Sequence, residues 1–204
     1  MIGILNYGVG NIKSFLNVYT KLSLPVKILN NKSDFDGINK IILPGVGSFD
    51  YAMNRLNSSG MRDKLDFLVL DNKVPVLGIC VGMQMMGNNS EEGKLKGLQW
   101  IDANILKFDE SKIKYKTKLP HMGWNDVKPT SSNPLLNGLE EEAIFYFLHS
   151  YYFKCNNDDV GIAETEYGIS FTSAVNYNNI YGIQFHPEKS HQYGEKLLCN
   201  FANL

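Results

Sequence analysis

Cysteine is scarce: three in 204 residues, an odd number and far apart. They build no disulfide framework, and their scarcity fits a reducing compartment, the cytoplasm. Net charge is nearly absent, since 20 basic and 21 acidic side chains leave a formal −1. No whole-molecule field therefore draws the chain to nucleic acid or to an anionic membrane. No apolar run approaches the roughly 18 residues of a membrane span. The apolar opening Met1–Leu5 is too short for a secretory signal and lacks a basic start. Internal repeats and low-complexity tracts are missing as well.

Two common motifs are incomplete. A strand, the glycine turn Asn6–Gly10 and a helix open the chain in the manner of a dinucleotide site, but Lys13 stands where the third glycine should be. His186, Glu188 and His191 cluster near the end, yet their spacing matches no zinc signature. Neither a cofactor nor a metal is expected.

What remains is a chain of single-domain length, residues 1–204, 44% hydrophobic. A chain of this size buries about 70% of its unfolded surface. Short apolar runs at 1–5, 25–29, 40–43 and 74–79 predict strands. Between them, helical spacing predicts a helix from Asn11, with Asn11 as N-cap, and further helices over 49–56 and 61–70. This alternation predicts an α/β fold, a three-layer α/β/α sandwich on a largely parallel sheet. After residue 90 the rhythm changes. Strands are predicted at Trp100, 105–108, 124–127, 143–148, 151–153, 160–164, 171–176 and 180–185, short and close enough to be largely antiparallel. A last helix starts near His191. Lysines 107, 112, 114, 116 and 118 flank Tyr115, and in a neutral chain they read as a solvated hairpin.

Chemistry concentrates in Val74–Gln84. A buried strand runs into Cys80, and a helix starts near Val81. Gly78 and Gly82 flank the cysteine at minus two and plus two, the spacing of a nucleophile elbow with sulfur in place of oxygen. A sharp strand-to-helix turn crowds the backbone, so side chains must be missing there. The helix N-terminus presents unpaired N–H groups and a positive field that favours thiolate over thiol. The same N–H groups can hold an oxyanion. A buried structural cysteine is the bland alternative. A thiol nucleophile needs a base, and the base an orienting group. His186 ends a strand that Pro187 stops, and Glu188 can curl back onto its imidazole; a plain surface turn is the competing reading.

Pro44-Gly-Val-Gly47, Gly78-Ile-Cys-Val-Gly-Met-Gln84 and His186-Pro-Glu188, in that order, resemble the class I (triad) glutamine amidotransferases. Pro120–Asn125, Tyr146–Tyr151 and His186–Ser190 narrow the resemblance to the glutaminase subunits of imidazole glycerol phosphate synthase, in histidine biosynthesis. It runs the length of the chain. Two positions depart from the family pattern: Asn6 where an acidic residue is common, and Val81 where leucine is.

The resemblance implies roles. Cys80 is the nucleophile that forms a γ-glutamyl thioester with L-glutamine, His186 the acid and base, and Glu188 its orienting group. Val81 and, after loop reorientation, Gly47 donate to the oxyanion. Gln84, Ser150 and Tyr151 contact the substrate. Asn11, Trp124, Tyr146 and Lys189 lie at an interface with a (β/α)₈-barrel cyclase subunit, although Trp124 and Tyr146 read equally well as core aromatics. In that heterodimer the released ammonia passes to the cyclase, which makes imidazole glycerol phosphate and AICAR phosphate. Two alternatives stand: a paralogous glutaminase feeding another synthase, such as a surface-sugar amidotransferase, and a cysteine peptidase or redox sensor on a similar sheet.

Overall fold

Strands that are apolar on both faces hold together only where helices cover them. In the computed structural model, which describes residues 1–141 and 143–204, the first four are β1 (Ile2–Leu5), β2 (Val26–Leu29), β3 (Lys40–Gly45) and β4 (Val76–Cys80). They pair in parallel in the order β2-β1-β3-β4. The connections carry α1 (Ile12–Lys21), α2 (Phe49–Ser58) and α3 (Arg62–Asp66), which bury Phe15, Tyr19, Phe49, Met53, Leu56 and Leu65. The short α4 (Val81–Gln84) follows β4 without a gap.

The second half adds β5 (Asn89–Ser90), β6 (Ala103–Lys107), β7 (His121–Asp126), β8 (Lys128–Pro129), β9 (Ile144–His149), β10 (Tyr151–Cys155), β11 (Gly161–Glu166), β12 (Ser170–Tyr177), β13 (Ile180–Ile183) and α5 (His191–Ala202). The sheet continues from β4 to β13 in parallel, then through β12, β10 and β6 antiparallel. β11 pairs β12 and β8 off this path, and β7 and β9 form a separate antiparallel ribbon. The expected α/β fold, parallel in its first half and antiparallel in much of its second, is what forms. β13 is the strand that matters for the site. It returns beside β4 with Ile183 opposite Ile79, so Cys80 and the residues after Ile183 leave the sheet at the same end.

Three local expectations fail, each for a reason, and a fourth is met in position only. The helix expected over 61–70 is α-helical only to Asp66. A wider π turn, Phe67–Asp71, follows, in which the Asn72 N–H donates to the Phe67 carbonyl. Asn179 draws the Val69 carbonyl out of the helical ladder by donating its amide to it at 2.9 Å. Trp100 is not in a strand. Its N–H and that of Ile101 both donate to the Met86 carbonyl, and its indole donates to Asp66. The lysine-rich stretch forms a loop with one 3₁₀ turn, Glu110–Lys112, rather than a hairpin, and Tyr115 stacks on Tyr167. Asn11 stands at the N-cap position of α1 but its side chain makes no capping bond.

Candidate active site

The elbow is a real one. Cys80 closes β4 and immediately precedes α4, with φ 54° and ψ −114°. A non-glycine residue held there costs about 1–3 kcal/mol, which the surrounding packing must offset. Gly82 explains how the turn fits: a Cβ there would collide with the Leu43 carbonyl of the neighbouring strand. The backbone of β3 and that of α4 therefore touch, and Gly45 pairs with Cys80 in register. β3 runs two residues further than expected, through Pro44 and Gly45. The buried Tyr7 hydroxyl donates to the Pro44 carbonyl at 2.6 Å and pins that end. Beyond it Val46, Gly47 and Ser48 are exposed, and Gly47 takes φ +83°, a conformation glycine adopts without strain.

The strand expected over 180–185 stops at Ile183. From there the chain leaves the sheet, and the His186 N–H donates to the Tyr146 carbonyl of β9. Pro187 opens a 3₁₀ turn, and within it Glu188 curls back to place Oε1 3.0 Å from His186 Nδ1. Both side chains are nearly sealed from solvent, at 4% and 1% exposure. Burial alone would lower the histidine's pKa. The hydrogen bonds and charges of Cys80 and Glu188 outweigh burial and push it up to about 10. The buried imidazole is therefore held as a cation at neutral pH, between a sulfur and a carboxylate.

Cys80, His186 and Glu188 line one cleft of about 370 Å³, together with Gly47, Val81, Gln84, Ser150, Tyr151, Asn11 and Lys189. All the residues singled out from the sequence meet there except Trp124 and Tyr146. Trp124 is 44% exposed on the β7–β9 ribbon and stacks on His191, so it is no core aromatic. Tyr146 lies next to it at 6.1 Å between ring centroids, under the Lys189 ammonium at 5.3 Å. Gln84 is buried, and its amide donates to the Tyr151 carbonyl and to Gln184 Oε1.

Three groups at the cleft were not anticipated. Glu92 lines it and accepts from the Phe49 N–H at 2.7 Å, at the start of α2 and two residues after Gly47. Gln184, wholly buried, donates its amide toward Cys80 Sγ at 3.7 Å. His149 also faces the cleft and hydrogen-bonds His121. Gln184 carried a signal, lying two residues before His186 in the stretch expected as a strand, and His149 falls within the Tyr146–Tyr151 motif; Glu92 sits in a loop without periodicity.

Such a site suits attack by a thiolate on a carbonyl carbon, with a cationic acid beside the leaving group. The comparisons with known proteins agree with this chemistry. The family model for class-I glutamine amidotransferases matches residues 4–203. A protein of Bdellovibrio bacteriovorus named imidazole glycerol phosphate synthase subunit HisH is 52% identical over 204 residues, covering both chains completely. One of the same name from Leptospira borgpetersenii is 50% identical over the same full lengths. Among solved structures, a chain of PurLQS from Thermotoga maritima superposes with a TM-score of 0.73 over 99% of this chain and 97% of that one; at 17% identity this speaks for the fold alone. The chain belongs to the class-I glutamine amidotransferases.

Proposed function

We propose that this chain is the glutaminase subunit of imidazole glycerol phosphate synthase, working in the cytoplasm on L-glutamine and passing ammonia to a barrel-shaped cyclase partner. The observation that carries the chemistry is the buried Cys80–His186–Glu188 constellation at the shared end of β4 and β13. The acceptor rests on the full-length relatives of that name.

The steps follow from the groups. Cys80 thiolate attacks the side-chain amide carbon of glutamine, and the carbonyl oxygen becomes an oxyanion. The Val81 N–H at the start of α4 faces it, and the Gly47 N–H joins when the 46–48 loop turns. His186 gives its proton to the departing nitrogen, ammonia leaves, and a γ-glutamyl thioester remains. The now neutral His186 takes a proton from water, which attacks the thioester and frees glutamate. Glu188 holds the imidazole and balances its charge in both halves. The backbone at Ser150 and Tyr151 and the side chain of Gln84 receive the amino-acid end of the substrate. Its α-ammonium needs an anion, and Glu92 is a carboxylate on the cleft wall. Ile144 and Leu148 alternate outward on β9, next to Met122 and Trp124 on β7, and make an exposed apolar ribbon suited to a partner. Asn11 and Lys189 line the cleft as well.

The test is capture from the native host with mass spectrometry of the bound polypeptide, followed by reconstitution. A cyclase that makes imidazole glycerol phosphate from glutamine only when this chain is present is the expected result. Capture of another synthase instead would move the acceptor to a paralogous pathway.

A further inference from the structure

Two of the four histidines, His121 and His149, take no part in the chemistry above, yet both are buried beside the cleft, at 3% and 6% exposure. They are cross-strand neighbours on the β7–β9 ribbon, paired in register. His121 is stacked between Phe147 at 4.7 Å and Tyr167 at 4.0 Å, both near parallel. His149 packs among Phe108, Phe147 and Phe171. Rings so enclosed cannot turn to find new partners.

Their hydrogen bonds admit one assignment. His149 Nδ1 lies 2.8 Å from the Tyr151 carbonyl oxygen, which only accepts, so Nδ1 carries the proton. His149 Nε2 is then a lone pair, and His121 Nδ1, 3.0 Å away, must donate to it. That leaves His121 Nε2 as an acceptor, and the Asn125 amide stands 3.1 Å from it with a hydrogen to give. Every ring nitrogen is satisfied and every bond points the same way, from the outer ribbon toward the cleft. A third proton on either ring would set two donors against each other, so the pair is neutral. Burial acts in the same direction on both, pulling His121 to about 4 and His149 to about 3.

The chain ends at a useful place. The Tyr151 carbonyl accepts a second bond from Gln84 Nε2 at 3.1 Å, and Gln84 passes its other hydrogen to Gln184, which donates toward Cys80 Sγ. Between β9 and β10 only Ser150 makes the corner. Two donors on one carbonyl fix the peptide plane after Tyr151 and, with it, the backbone that is to receive the substrate.

We propose that His121 and His149 form a positioning pair: two neutral imidazoles, both Nδ1–H tautomers, that suspend the Ser150–Tyr151 corner of the glutamine site from strand β7. This rests on the assignment of that corner to glutamine binding. The free amino acid histidine favours the other neutral tautomer, so the pair has a signature independent of activity.

Two measurements test it, on the full chain in its complex. Two-bond ¹H–¹⁵N spectra of histidine-labelled wild-type protein at pH 7 should show two neutral rings protonated on Nδ1. An Nε2–H pattern or an imidazolium at either ring overturns the proposal, whatever the enzyme does. The second is the split between KM and kcat for glutamine. His149→Phe preserves the ring and its packing but removes the donor; KM should rise about tenfold, the scale of one lost hydrogen bond, with kcat changed less. His149→Asn, which keeps an N–H near the Nδ1 position, should recover most of that rise. Equal KM in the two variants overturns the positioning role. If wild type itself shows no glutaminase activity while the tautomers are as stated, the function assignment fails and the structural pair survives.

Discussion

His186 and His149 face the same cleft, both nearly sealed from water, yet one ring is charged and the other neutral. Burial disfavours the cation in each. At His186 a carboxylate and a sulfur reverse the outcome, and the ring is held charged at pH 7. At His149 the partners are a carbonyl and another histidine, and burial wins. What an imidazole does in this molecule is set by the group across from each nitrogen, not by its depth. The charged ring is suited to move a proton; the neutral pair, to hold geometry.

The largest effects come from taking away the charged side of this contrast. Cys80→Ala should abolish glutamine hydrolysis in the reconstituted complex while ammonium salts still support the partner's reaction. His186→Ala should lose at least about 10³-fold in glutamine-dependent rate, as triad members that act together do. Glutamine-dependent turnover persisting in Cys80→Ala rules out the nucleophile. Glu188→Gln is the sharper tool. Glu188 Oε2 has no hydrogen-bond partner among the described residues, so the carboxylate's main task is its charge on His186. The amide should lower the His186 pKa, read by NMR titration, and slow turnover by about 10²–10⁴-fold. If the His186 titration does not move, the carboxylate is not what reverses burial.

How much of this was open to reading from the sequence follows the same division. The charged site is encoded locally: Gly78-x-Cys80-x-Gly82 and His186-Pro-Glu188 each lie within five residues, and each contact follows from turn geometry. The neutral pair is not local. His121 and His149 are 28 residues apart and meet only through the register of a ribbon that periodicity does not specify. Trp100 and the lysine-rich loop failed for the same cause. Their β-like or alternating composition was overridden by distant carbonyls and rings, those of Met86 and Tyr167. Trp124 and Tyr146 were ambiguous from sequence because aromatic residues fill cores and interfaces alike; only the exposure of one and the ammonium over the other separates them.

The resting site should be slow despite a charged His186. The purified chain alone should show glutamine hydrolysis about 10²–10³-fold below that of the complex with acceptor-site ligand, the worth of one oxyanion donor. The 46–48 loop is exposed and its Gly47 sits at φ +83°, so a peptide there can turn at little cost. Full activity without a partner would mean that the oxyanion site is already complete.

Stability against pH separates the two histidine sites by sign. For His121 and His149 the folded pKa lies below the unfolded value of about 6.5. The unfolded chain binds more protons on the acid side, so their contribution is present above about pH 6.5 and is lost as pH falls toward 4 and 3. Each loses about 1.4 kcal/mol per pH unit over that window. His186 runs the other way: its folded value is raised, so its contribution is full below about 6.5 and is lost as pH rises toward 10. Denaturant midpoints of His149→Phe should therefore fall less than wild type between pH 6.5 and 4.5, with parallel curves above pH 7. A mutant that tracks wild type on the acid side would show that the ring was never forced neutral.

The smallest effect is expected at the rim. Lys189 follows Glu188 directly, and its ammonium lies 5.3 Å over the Tyr146 ring. The Tyr146 carbonyl accepts from the His186 N–H, so a lysine at the surface and the backbone of His186 share one residue. A contact of this kind at an exposed site is worth about 0.5–1 kcal/mol, too little to matter for the fold. If a partner covers Tyr146 and Lys189, desolvation strengthens the contact and joins binding to the position of His186. Lys189→Ala should therefore leave the melting temperature and basal glutaminase nearly unchanged, and weaken partner affinity or ligand-induced stimulation. Titration of both proteins with the cyclase subunit, with glutamate release followed with and without acceptor ligand, decides it. Matching affinity and matching stimulation would make Lys189 a bystander and leave His186 governed by the buried groups alone.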